Sequence, residues 1–237
     1  MNSDIEQLAR WLAEARHIVV FTGAGISTES GLRDFRGPDG LWTRRDQGLD
    51  TPKQDFGSAQ PNAGHIAIRE LEKLGKLDFL ISQNVDNLHL KSGIDPENIA
   101  ELHGNLTRVR CPDCGFVMDR VEGERECPLC GGKLVSTVVD FGMELPEQDL
   151  AAACQHAAMA DLFIVAGSSL VVYPAADIPR AALRNGAKLV IINRGETPYD
   201  EQAHLRFDAS TSEVLSEAVK CLKDLLSADE TGNMKNP

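Results

Sequence analysis

Basic side chains are in short supply: 24 Lys and Arg stand against 36 Asp and Glu in 237 residues, a formal charge of −12. A surface of that sign repels phosphate backbones and anionic lipid, so direct nucleic-acid binding is not expected and cationic, lysine-bearing partners are favoured. Long apolar runs are also missing. No stretch approaches the roughly 18 uninterrupted apolar residues of a membrane span, and the opening MNSDIEQLAR has neither the basic nor the apolar region of a secretory leader. There is no internal repeat and no low-complexity run before the last residues. The expectation is a cytoplasmic protein without a membrane partner, of a length that suits one large domain or one large and one small.

Apolar spacing sets out the organisation. Residues 3–16 read as an amphipathic helix, and Ile18–Phe21 as a buried strand that runs into a turn of small residues, Thr22 to Ser27. From Arg36 to about Gly75 the chain is irregular and rich in Gly and Pro, resuming helical spacing at His65–Leu74. Leu77–Ser82, Leu162–Ala166, Leu189–Ile192 and Leu205–Phe207 are further strand candidates. Helical segments at 147–160, 175–185 and 211–226 alternate with them, and the residues from 227 onward lack apolar periodicity. Short continuous apolar strands between helices predict an α/β fold, a parallel sheet covered by helices on both faces. Sites on such sheets lie outside the carboxyl ends of the strands, where the polar motifs after Phe21, Ser82, Ala166 and Ile192 are found.

Four motifs carry chemistry. Gly23-Ala24-Gly25 would let backbone N–H groups approach a pyrophosphate. The third glycine of the dinucleotide fingerprint is replaced by Thr28, and no strand ending in an acidic residue follows about 20 positions later. A plain strand-to-helix turn is therefore the even alternative. Cys111-x-x-Cys114 and Cys127-x-x-Cys130, twelve residues apart, suit one tetrahedral Zn²⁺ whose closed thiolate shell makes it structural. The remaining thiols, Cys154 and Cys221, are expected as buried apolar groups. Gln83 to His89 packs amides, a carboxylate and an imidazole at a strand end, a density costly to bury without a ligand. His103, in Leu102-His103-Gly104, is a lone imidazole, and the other histidines offer no competing cluster.

In this order, Gly23 to Ser27, Asp34-Phe35-Arg36-Gly37, Gln83-Asn84-Val85-Asp86, His103-Gly104, the four cysteines, Phe141-Gly142, Gly167-Ser168-Ser169-Leu170 and Ile192-Asn193 make a chain that resembles the sirtuins, NAD-dependent protein lysine deacylases. The resemblance covers about residues 10–226. It implies a Rossmann-type NAD-binding domain of residues 1–35, 76–105 and 140–228. A small zinc-ribbon and helical domain would be inserted, made of a cofactor-loop module at 36–75 and a four-cysteine module at 106–139, with a tail at 229–237.

By the same resemblance Gly23, Ala24, Gly25 and Ser27 would hold the phosphates, and Gly167, Ser168, Ser169 and Asn193 the adenosine half, with Ala209 and Ser210 near the adenine. Asp34, Phe35 and Arg36 would lie on a mobile cofactor loop. Asn84 and Asp86 would grip the nicotinamide carboxamide, Gln83 the neighbouring ribose, and His103 would be the general base. An acyl-lysine peptide would pair along Val138–Gly142, with Val139, Phe141 and Gly142 as contacts. Mono-ADP-ribosyl transfer and NAD sensing without turnover are the alternatives. Two departures stand out: Arg33 replaces the usual proline before Asp34, and Met143 separates Phe141-Gly142 from Glu144. No Tyr-x-x-Arg pair follows Trp42, so a neutral acyl group is expected.

Overall fold

The computed structural model describes residues 2–233. Six parallel strands form the central sheet in the order β3 (Ile99–Glu101), β2 (Phe79–Ser82), β1 (Ile18–Thr22), β7 (Leu162–Ala166), β8 (Lys188–Ile192) and β9 (Leu205–Phe207). The middle strands read as unbroken apolar runs because both faces are covered. In β1, Ile18 and Val20 point to one core and Val19 and Phe21 to the other.

The first face packs against α1 (Asn2–Glu14), α3 (Ala63–Lys73) and α7 (Thr211–Asn233), through Leu8, Leu12, Ile68, Leu71, Leu215 and Leu222. The second packs against α5 (Glu147–Met159) and α6 (Ile178–Arg184), through Ala153, Ala157, Ile178 and Ala182. Each large apolar side chain buried in these layers contributes about 1.5–3 kcal/mol. Two short helices, α2 (Leu41–Asp46) and α4 (Leu88–Ser92), complete the helical set. The closing helix runs on to Asn233, past the last apolar repeat at Leu226, so residues 227–233 are helical; 234–237 lie outside the described residues.

Strand order reverses at β1, whose neighbours are β2 on one side and β7 on the other. A parallel sheet opens a crevice at the carboxyl ends beside such a switch point. The turns after β1, β2, β7 and β8 all meet there.

A second, antiparallel sheet of β4 (Arg108–Arg110), β5 (Val117–Asp119) and β6 (Val135–Ser136) has the order β5-β4-β6. Its small core is Val109, Cys111, Cys127 and Leu134. The two Cys-x-x-Cys turns share one geometry. Gly115 and Gly131 both adopt φ +76°, donating to the carbonyls of Cys111 at 2.9 Å and Cys127 at 2.8 Å. The four Sγ atoms lie within 4.8 Å of one another, with Cys111 to Cys130 at 3.5 Å and Cys114 to Cys127 at 3.6 Å. Zn–S bonds of about 2.3 Å in a tetrahedron require sulfur separations close to these, so the residues fit a single zinc ion.

Cys154 corrects the expectation made for it: it lies exposed on α5, whose buried residues are Ala153 and Ala157. Cys221 is half-buried and packs against the first core.

Candidate functional site

The glycine turn is built by close backbone approach. The N–H groups of Gly23 and Gly25 donate to the carbonyls of Ala166 (3.2 Å) and Gly167 (2.8 Å). A Cβ on Gly23 would come within 2.8 Å of the Gly167 oxygen, and one on Gly167 would overlap the Ile26 nitrogen. These positions leave room for backbone only. The segment Ala24–Ser30 winds as a tight 3-10 helix and carries Ser27 inward.

Ser27 meets the polar run after β2. Its hydroxyl donates to Asp86 Oδ2 at 2.6 Å and accepts from Asn84 Nδ2 at 3.1 Å, all three being buried. The second carboxylate oxygen, Oδ1, accepts from the Leu88 N–H at 2.9 Å. Gln83 Nε2 donates to Ser168 Oγ at 2.7 Å, tying the ends of β2 and β7.

His103 follows β3, and its Nδ1 lies 2.8 Å from the Gln83 carbonyl oxygen. A carbonyl only accepts, so Nδ1 carries the proton and Nε2 keeps its lone pair. Burial pushes the imidazole pKa down, opposed by the Gln83 carbonyl, and the ring is a neutral base. Gly104 makes the turn at φ +74°, where a Cβ would fall onto the Thr137 carbonyl.

All the cofactor residues expected from the sequence except Ala209 and Ser210 line one cleft of about 540 Å³, together with His103, Val139, Phe141 and Gly142. Ala209 and Ser210 line an adjoining hollow of about 470 Å³, shared with Gly25, Asp34, Gly167 and Asn193. Asp34 Oδ1 accepts from the Gly37 N–H at 2.9 Å, closing the loop on itself. Phe35, Trp42 and Phe141 pack in sequence with tilted rings, at 5.0 and 5.5 Å, and the Arg36 guanidinium lies 4.7 Å from the Trp42 ring centre. The segment 138–142 is paired in neither sheet; its Val139 N–H donates to the His103 carbonyl at 3.0 Å, and Phe141 is 77% exposed.

Several residues went unseen in the sequence. Asn62 caps α3 and braces the glycine turn, donating to Ile26 O at 2.7 Å and Ser30 Oγ at 3.0 Å; the Asn62-x-x-His65 spacing at the helix start was its signal. Glu101 is held near His103 by Asn105 Nδ2 at 2.7 Å, and burial raises its pKa to about 7. The expectation of no competing histidine cluster is overturned. His65 and His89 are buried with ring centres 4.9 Å apart, and His89 Nε2 lies 2.9 Å from Thr22 Oγ1. His17 and His156 stack at 5.2 Å at the far end of the sheet. Distant parts of the chain form each pair, so sequence spacing is silent about them.

With this geometry in place, the comparisons decide the family. The Sir2 family model matches residues 23–58 and 50–174. The chain belongs to the Sir2, or sirtuin, family. It is 42% identical over 235 residues to the NAD-dependent protein deacetylase SRT1 of Arabidopsis thaliana, covering 94% of this chain and 50% of that protein. It is 41% identical to NAD-dependent protein deacetylase 1 of Bradyrhizobium diazoefficiens, covering 86% of this chain and 91% of that one. The chain spans about half the length of the plant relatives. Among solved structures, a mutant Sir2 homologue in complex with ADP-ribose superposes with a TM-score of 0.80 at 37% identity, covering 94% of this chain and 98% of that one. A complex of Sir2 with a p53 peptide and NAD+ gives 0.74 at 34% identity, covering 91% and 97%. Among the described residues, no helix is long and apolar enough to cross a membrane.

Proposed function

We propose that this sirtuin is an NAD-dependent protein lysine deacylase that, with consumption of one water, converts an acyl-lysine peptide and NAD into nicotinamide, the free lysine and an acylated ADP-ribose. One observation carries the reading: the unprotonated Nε2 of His103 shares a cleft with the Ser27–Asn84–Asp86 cluster and the glycine cradle. Gly23, Gly25 and Gly167 pack main chain against main chain at the wall of that cleft, where a Cβ on any of them would meet facing backbone at 2.8 Å or less, so the turn offers a dinucleotide main chain rather than side chains. NAD supplies an electrophilic ribose carbon whose leaving group is nicotinamide. Asn84 and Asp86 offer the amide donor and carboxylate acceptor that a carboxamide needs, and Ser27 fixes their orientation. Ala24, Ser168, Ser169 and Asn193 line the remaining path of the dinucleotide, with Ala209 at the adenine end.

His103 takes a proton at Nε2 from a ribose hydroxyl, and its Nδ1–H bond to Gln83 stabilises the charge that forms. Apolar walls of Leu32, Phe56, Val85 and Leu145 exclude water, favouring a step in which a cationic ring becomes a neutral leaving group. Val139, Phe141 and Gly142 would receive the peptide, whose main chain supplies most of the affinity. The four cysteines would hold one structural zinc ion that stays out of the reaction. Residues 1–35, 76–105 and 140–228 are taken as the cofactor domain, and 36–75 with 106–139 as the smaller one. A reducing compartment, the cytoplasm, suits four unbridged thiols.

The test is incubation with an acetylated peptide and NAD. Equal yields of nicotinamide and deacylated peptide support the reading. A peptide that gains ADP-ribose instead assigns the transferase alternative, and no release with any of several acyl chains refutes catalysis.

A further inference from the structure

Asn87, directly after Asp86, breaks two local rules. Its backbone lies at φ +65°, in the left-handed region that asparagine tolerates better than most residues but that only glycine enters freely. It also stands at the N-cap of α4, where an asparagine side chain ordinarily bonds the first turn, and no such bond is made. Strain of this kind persists where the surroundings impose it, and it collects at functional sites.

The side chain of Asn87 is engaged elsewhere. Its Oδ1 accepts from Asn105 Nδ2 at 2.9 Å, and the same Asn105 nitrogen donates to Glu101 Oε1 at 2.7 Å. The other end of the Asn105 amide accepts from the Thr107 N–H at 2.9 Å. A main-chain N–H only donates, so that end is the oxygen, and both protons of the facing NH2 are in use. Asn105 is 1% exposed, which leaves no solvent to replace these bonds. Its main chain is fixed as well: the N–H donates to Thr137 Oγ1 at 3.1 Å, and the carbonyl accepts from that hydroxyl at 2.8 Å.

This one amide therefore joins segments that the reaction needs in register. Asn105 follows His103 and Gly104, Asn87 follows Asp86, and Thr137 precedes the segment 138–142. The left-handed step at Asn87 brings the Leu88 N–H back onto Asp86 Oδ1 at 2.9 Å, while Oδ2 accepts from Ser27. Two parallel ties, His103 Nδ1 to the Gln83 carbonyl at 2.8 Å and the Leu106 N–H to the Val85 carbonyl at 2.9 Å, set the spacing of the two runs. Neither of them acts on the step that turns Asp86.

We propose that Asn105 holds Asn87 left-handed and thereby aims Asp86 and Asn84 at the nicotinamide carboxamide in register with His103. Neither Asn105 nor Asn87 lines the cleft, so Asn105 is a positioning residue. The assignment rests on the deacylase reading above and adds to it the side chain that couples the base to the carboxamide site.

Nicotinamide release with an acetylated peptide and NAD, set beside calorimetric binding of ADP-ribose, tests it. ADP-ribose lacks the nicotinamide, so its affinity reports the glycine cradle alone. Asn105→Ala should lower kcat at least about tenfold, since a misplacement of about 1 Å can cost about 10²-fold. ADP-ribose affinity should stay close to that of the parent. Adding Asn87→Gly to Asn105→Ala should recover at least about threefold in kcat, because glycine takes the left-handed step without help. The half-buried Asn87 repeats the test should Asn105→Ala fail to fold. Asn87→Ala and Asn87→Gly both lose the bond to Asn105, yet the glycine variant should turn over at least about threefold faster, since alanine meets the left-handed penalty.

A smaller fall in Asn105→Ala, an ADP-ribose affinity that falls as far as the rate, or a smaller recovery on adding Asn87→Gly overturns the assignment and leaves the deacylase reading standing. Equal turnover by Asn87→Ala and Asn87→Gly does the same. Absence of nicotinamide release from the unaltered protein overturns the deacylase reading and the assignment with it.

Discussion

His103 donates its Nδ1 proton to the main-chain carbonyl of Gln83, 2.8 Å away. The bond selects the tautomer, ties the base to the run that carries Asn84 and Asp86, and leaves Nε2 free to accept a proton. Burial lowers the ring's pKa, so the acidic limb of the pH–rate profile should fall below the ordinary histidine value of about 6.5. A limb at or above that value would contradict a buried neutral base.

Gly104 turns the chain directly after that base at φ +74°, against the Thr137 carbonyl. In Gly104→Ala the Cβ meets both a left-handed backbone and a fixed oxygen, at a cost of about 2–4 kcal/mol. Urea unfolding measures the loss, and turnover should drop with it because His103 shifts. A variant as stable as the parent would show that the turn can relax.

Glu101 predicts a pH effect on stability. Burial raises its folded pKa to about 7 from an ordinary 4.5, so the folded chain holds this proton more tightly than the unfolded chain. The contribution is complete below pH about 4.5 and is lost as pH rises through about 7, at most about 3 kcal/mol. Asp149, whose Oδ1 accepts from the Glu101 N–H at 3.0 Å and whose pKa is also raised by burial, acts in the same direction. In Glu101→Gln, which retains an acceptor for Asn105, chemical denaturation between pH 5 and 7 should show a flatter dependence; an unchanged slope would assign the effect elsewhere.

Metal removal probes the second sheet. Its buried apolar core is Val109 and Leu134 beside two of the cysteines, with Phe116 and Met118 packed half-buried against it, too little to fold the module unaided. The protein should carry one zinc per chain, and binding free energies of about 10 kcal/mol or more in small zinc modules make chelation equivalent to unfolding this sheet. Far-UV circular dichroism and nicotinamide release should fall together on chelation. Activity that survives complete removal would show that the cleft does not depend on the module.

Much of the fold was legible because the sheet is buried on both sides: Leu162–Ala166 and Leu205–Phe207 stand where the apolar runs place them. The strand at Ile99–Glu101 was not, since three residues running into His103 carry no period of their own and are specified by pairing with β2. Helix α2 was hidden in a Gly- and Pro-rich stretch and is held by the Leu41 and Trp42 N–H groups bonding back to Asp34 and Phe35. Gln83, Asn84, Asp86 and His103, which line one cleft, stood out by residue type and by family order. Asn62, Glu101 and the His65–His89 pair did not, because their roles depend on contacts between segments far apart in the chain.

Nicotinamide release from NAD in the presence of an acylated peptide, compared between the parent and His103→Ala, tests the central claim most directly. If the imidazole is the base of one cleft shared with Asn84 and Asp86, turnover should fall about 10²–10⁴-fold while ADP-ribose binding and the unfolding midpoint stay close to those of the parent. Turnover retained within a few-fold would contradict it and place the chemistry elsewhere in the molecule.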